Sequence, residues 1–106
     1  NEKLDTIVKE YAGKDSVLIC EKGLDPNGVR NLANLLMENG CTGKIGVFSG
    51  NDSEGYKYAV CEKDGDLKQF VKDMNTALNG RGGGKPFFAQ GSVNCKWEEI
   101  QNFFKA

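Results

Sequence analysis

The sequence predicts an α/β domain of the α+β kind, a mixed β-sheet flanked by helices in one compact unit. Three observations carry that expectation. Segments with a helical apolar period alternate with short β-rich runs in the order α-β-α-β-β-α-loop-(β)-α, which describes helices packed on a sheet. Two of the strand-like runs are joined by a turn. The 106 residues, 39% hydrophobic and 27% charged, supply one core and not two.

Taken in order, "LDTIVKEY" places Leu4, Ile7, Val8 and Tyr11 on one helical face, and Gly13 can end that helix. Residues 1–14 are expected to form an N-terminal helix left over from an upstream linker, and residues 15–106 the domain proper. The chain begins at Asn1 without Met, so a piece cut from a longer protein is expected. "SVLICEK" has four consecutive apolar residues and reads as an inner strand covered on both faces. In "LDPNGVRNLANLLMENG", Asp25 caps a helix, Pro26 suits its first turn, and Val29, Leu32, Ala33 and Leu36 form the buried stripe before Gly40. "KIGVFSG" and "GYKYAVCEK" are two strands joined by "NDSE". In the second of them Tyr56, Tyr58 and Val60 share one face, and Lys57, Ala59 and Cys61 the other.

"DGDLKQFVKDMNTALNG" is a further helix, begun by Asp64 or Asp66 and ended by Gly80, with Leu67, Phe70, Val71, Met74, Ala77 and Leu78 inward. A glycine loop follows. "PFFAQGS" is then a short strand with Pro86 at its start, where a missing N–H is tolerated. "NCKWEEIQNFFKA" closes the chain as a helix capped by Asn94, with Trp97, Ile100 and Phe104 toward the core.

Net charge is −1, so the whole chain is not a basic nucleic-acid binder. Its distribution is uneven: from Met74 to Trp97 there is no Asp or Glu, while Arg81, Lys85 and Lys96 fall in that window. A local positive field can guide an anion to one face. No apolar run approaches the roughly 20 residues of a membrane span, and "NEKLDTIVKEYAGKD" lacks the h-region of a signal peptide. Cys20, Cys41, Cys61 and Cys95 form no CxxC pair and are read as reduced, which points to the cytoplasm rather than a secreted disulfide framework. With no histidine, the commonest general base and metal ligand is missing, and a self-contained active site is not expected.

The chemistry concentrates in "GRGGGKPFFAQGS". Gly82, Gly83 and Gly84 can expose consecutive N–H groups as a concave anion site. Arg81 adds a planar fork suited to phosphate, and Lys85 a point charge. Phe87 or Phe88 could stack on a base, although their alternation gives one of them to the core. Register excludes a Walker A loop, because the position after Gly84-Lys85 is Pro86. A dinucleotide fingerprint is excluded because the sixth position from Gly80 is Lys85 and the run follows a helix. The bland reading is that the glycines serve close packing and that Gln90 only satisfies backbone groups.

This stretch closely resembles the signature of the DHH-associated domain, found in alanyl-tRNA synthetases, in long alanyl-tRNA editing proteins and in DHH-type phosphoesterases. Gly82, Gly83, Gly84, Lys85, Pro86, Ala89, Gln90 and Gly91 match position by position. Lys85 stands where the phosphoesterase branch carries His, which favours the synthetase and editing branches. The resemblance covers about residues 16–104 and implies a tRNA-binding accessory domain of a synthetase or of a deacylase acting on mischarged tRNA for alanine. RNA contact is expected at Gly80, Arg81, Gly82, Gly83, Gly84, Lys85, Gln90 and Ser92. The implied zinc belongs to a separate editing domain, and ATP with Mg to a synthetase parent, so this chain itself is expected to hold no cofactor. The implied partners are alanine-specific tRNA or another nucleic acid, and no membrane. The alternatives are a dimerisation or docking module of the same parent, with a homodimer as the assembly, or a nucleotide-binding phosphoesterase domain.

Overall fold

A computed structural model describes residues 2–105 except 15, 42 and 64, with the side chains of residues 2–4 and 105 also outside the description. The elements are α1 (Glu2–Tyr11), β1 (Val17–Cys20), α2 (Pro26–Glu38), β2 (Ile45–Asn51), β3 (Gly55–Cys61), α3 (Lys68–Ala77), β4 (Gly80–Lys85), β5 (Phe88–Val93) and α4 (Trp97–Lys105). The five strands form one mixed sheet in the order β1-β2-β3-β5-β4, with β1 parallel to β2 and every other pair antiparallel.

The pleat sends alternate side chains to opposite faces, so two cores form. One holds Val17, Ile19, Ile45, Val47, Ala59 and Cys61 under the apolar stripe of α2. That stripe is Val29, Leu32, Ala33 and Leu36, as the sequence predicts. Its ends are also where expected: Asp25 accepts the Gly28 N–H at 2.7 Å, and Gly40 has φ +97°. Ile7 and Val8 of α1 join the same core. The Cys41 thiol donates to the Tyr11 carbonyl at 3.3 Å, tying α1 down. The predicted inward position of Leu4 lies outside the described side chains.

The other core holds Phe48, Tyr56, Tyr58, Val60, Ala89 and Val93 beneath α3 and α4. Phe48 meets Trp97 and Phe104 edge-on, with centroids 5.8 and 5.7 Å apart. Trp97 is therefore a core residue, as expected. All four cysteines are free, and burial pushes the thiols of Cys61 and Cys95 up to about 12 and about 11. Neither is a thiolate nucleophile at neutral pH.

Several expectations are corrected. β1 is an edge strand, not an inner one; it is covered because Leu18 and Cys20 pack on the second core. Ala77 is exposed. α3 ends at Ala77, Asn79 takes φ +54° beyond it, and Gly80 already begins the next strand. Asp66 accepts the Lys68 N–H at 3.1 Å, whereas Asp64 lies outside the described residues. Asn94 does not cap α4. Asp52, at the β2–β3 turn, accepts the Trp97 N–H at 2.9 Å and the Tyr56 hydroxyl at 2.7 Å, while Glu99 accepts the Lys96 N–H at 2.8 Å. The Trp97 N–H first, and then the Tyr56 hydroxyl, hold the Asp52 carboxyl below the usual carboxylate range.

The largest correction concerns the glycine run. It is not a loop but the edge strand β4, paired along its whole length with β5. Pro86 sits with Phe87 in the two-residue turn between them rather than at the start of a strand.

Candidate nucleic-acid interface

The shape of β4 follows from what its neighbours leave room for. At Gly82, φ is +145°, and a Cβ would lie 2.5 Å from the Gln90 carbonyl oxygen and 2.6 Å from the Tyr58 hydroxyl. Its cross-strand partner Gly91 is equally crowded, against the Arg81 carbonyl and the same hydroxyl. Tyr58 donates to Asn75 Oδ1 at 3.0 Å, and Asn75 Nδ2 donates to the Gly82 carbonyl at 3.2 Å. Cβ atoms at Gly80 and Gly84 would also meet β5 carbonyl oxygens, at 2.6 and 2.5 Å. Close packing therefore explains Gly80, Gly82 and Gly84. At Gly83 a Cβ would meet nothing within 4 Å.

This geometry overturns the expected concave nest of amides. The bond from Asn75 shows that the main chain of Gly82 faces the outer edge. Strand alternation then turns Gly83 toward β5 and Gly84 outward again. Three consecutive N–H groups pointing alternately cannot converge on one anion.

The cations take a different arrangement. Register places Ser49, Lys57, Ser92 and Arg81 in one row across β2, β3, β5 and β4, all on the α2 side of the sheet. Lys57 and Arg81 flank Ser92 by roughly 5 Å on either side, the usual strand spacing. The row floors a groove of about 680 Å³ that also takes in Lys22, Asn79 and Asn94, with Glu54 as its one acidic member. Lys57, Arg81 and Ser92 are exposed.

Of the sequence-predicted site residues, Arg81 and Ser92 meet in this row. Gly83 lies beside it on the same open face, and Lys85 ends that face next to the turn. Gln90 is committed elsewhere: its Nε2 donates to the Pro26 carbonyl at the start of α2, at 2.5 Å. Phe88 joins the α2-side core, while Phe87 stays 44% exposed at the hairpin tip, with Lys85 Nζ 5.7 Å from its ring centroid. Lys57 and Lys22 were missed. Lys57 did leave a signal, being the lone charge inside the otherwise buried strand "GYKYAVC".

Fold and site together define a small α+β domain whose sheet leaves half of one face uncovered and cationic. Residues 13–106 match the family described as the DHHA1 domain, and the chain belongs to that family. Alanine–tRNA ligases from two strains of Ureaplasma parvum serovar 3 are 35% identical over 68 residues, which is 59% of this chain. The matched part is 8% of each ligase's length. The C-Ala domain of Aquifex aeolicus alanyl-tRNA synthetase, a crystal structure, has the same fold, with a TM-score of 0.73 at 17% identity over 90% of this chain and 88% of that one. Among the described residues, no helix is long and apolar enough to cross a membrane, and no three His, Cys, Asp or Glu gather as a metal site.

Proposed function

We propose that this domain is a tRNA-binding accessory module of an alanyl-tRNA synthetase-like or alanyl-tRNA editing parent, and that it grips the RNA backbone. The observation that carries this is the row Lys57, Ser92 and Arg81 on the uncovered half-sheet: two cations and a hydroxyl at strand spacing. Phosphate contacts of this kind position RNA without reading its sequence, so the patch alone has little preference among tRNAs. Gly83 and Lys85 extend the contact along the strand, whereas Gly80, Gly82, Gly84 and Gln90 support it from behind. The family match, the ligase relatives and the C-Ala fold support the same reading.

The dimerisation or docking reading stands second. Phe87 is the one large apolar side chain left exposed among the described residues, which gives a subunit interface little to bury. A cytoplasmic location follows from the proposed partner. The boundary after residue 14 is kept as a proposal, on a family match that begins at residue 13, although α1 itself packs into the α2-side core.

The test is tRNA affinity against salt for the wild-type domain and the double variant Lys57→Ala/Arg81→Ala. Loss of two phosphate contacts lowers the log–log slope by about 1.4–1.8 and weakens binding throughout. An unchanged slope and affinity would remove this face as the site.

A further inference from the structure

The phosphate-binding row lies on one side of β4, and a second groove lies on the other. It runs between α3 and the glycine strand, with a volume of about 300 Å³. Its floor is the buried Leu67, Val71 and Ala89, and its exposed rim carries Lys68 and Lys72. Lys68 and Lys72 stand one helical turn apart on α3 and so project along the same side. No Asp or Glu lines the groove. One wall is the run Gly82–Gly84, main chain without side chains.

We propose that this groove receives an unpaired nucleotide of bound RNA, an inference that rests on the RNA-binding reading above. Each feature selects part of that ligand. Two cations with no opposing acid select an anion. The apolar Leu67, Val71 and Ala89 beneath them select a ligand with an apolar body beside its charge. The side-chain-free wall offers a flat surface against which a planar ring can lie. The volume sits at the low end of small-molecule sites and admits one nucleotide, not a stacked duplex. A base therefore enters between α3 and β4, and its flanking phosphates rest on the rim lysines. The two cationic clusters flank a single six-residue strand, so one RNA strand crossing its open edge reaches both. Lys85, close to the Phe87 ring, extends the track to the hairpin tip.

The probes are a short single-stranded oligouridylate and a blunt RNA duplex, titrated against wild type, Lys68→Gln/Lys72→Gln and Lys57→Ala/Arg81→Ala. Both lysines of the groove variant are exposed, and an unchanged thermal midpoint confirms its folding. The expected result is an affinity loss of about tenfold for the oligouridylate in the groove variant, from two lost phosphate contacts, with duplex binding nearly unchanged. Amide resonances of Gly82–Gly84 and Ala89 should shift when wild type binds the oligouridylate. Equal losses for both probes, or no loss for either, would overturn the nucleotide site and leave the Lys57/Arg81 reading standing. Failure of wild type to bind either probe or tRNA would remove both.

Discussion

One sheet carries two unlike halves. Across β1, β2 and β3 the middle of both faces is covered: Val47 and Ala59 lie under α2, and Phe48 and Tyr58 under α3 and α4. Across β5 and β4 the α3 side is packed through Ala89, Val93 and the glycines against Tyr58, and the α2 side is packed through Phe88 at the hairpin end. The rest of the α2 side shows Ser92, Arg81, Gly83 and Lys85 to solvent. The covered half holds the fold and the bare half presents exposed cations. The same backbone ladder serves both, so what separates them is which residues a helix lies over.

The sharpest way to break this division is to attack the covered half. Phe48→Ala removes a fully buried ring that touches Tyr58, Trp97 and Phe104. It should cost about 3–5 kcal/mol in urea unfolding. RNA affinity, measured where the variant is still folded, should stay near wild type. A large loss of affinity in the folded variant would mean that the halves are not separable.

A second test lies inside β4 itself. Gly82→Ala must fit a Cβ against the Gln90 carbonyl at a φ that L-residues avoid, and should cost about 1–3 kcal/mol. Gly83→Ala has open space and should stay within about 0.5 kcal/mol of wild type. Equal costs at the two positions would sink the argument that alternation, not the triplet as a unit, explains these glycines.

The smallest effect probes how α4 is fastened over the covered half. Because the folded-state pKa of Asp52 is depressed, its stabilising contribution is complete above the unfolded value near 3.9 and fades as pH falls through the folded value. Wild type should thus lose more unfolding stability than Asp52→Asn between pH 6 and pH 3. Parallel pH profiles would show that the Trp97 and Tyr56 contacts to Asp52 carry no linkage.

The legibility of the sequence follows the same division. In the covered half, apolar period and capping residues named α2, β2, β3 and most of the α3 face, because buried side chains write a periodic pattern. In β4 the pattern is erased. A strand with three glycines at alternate positions and a fourth between them has too few side chains to show a period of two, so it reads as a loop. Its strand state comes from pairing with β5, which no local propensity records. Lys57 and Lys22 were invisible as partners of Arg81 for a related reason: register and a distant turn bring them together, not spacing along the chain. Asp52 reached α4 the same way, across the fold, where a nearer Asn94 offered a simpler cap.

The bond from Gln90 to the Pro26 carbonyl has a mechanical consequence. β5 lies between the core strands and the glycine edge, and this one amide moors it to the first turn of α2. The anchor point is a helix whose Leu32 and Leu36 are wholly enclosed. The same helix is fastened at its far end as well, where the Gly13 N–H donates to the Asn39 carbonyl at 3.1 Å, so the hairpin is moored to an element held at both ends.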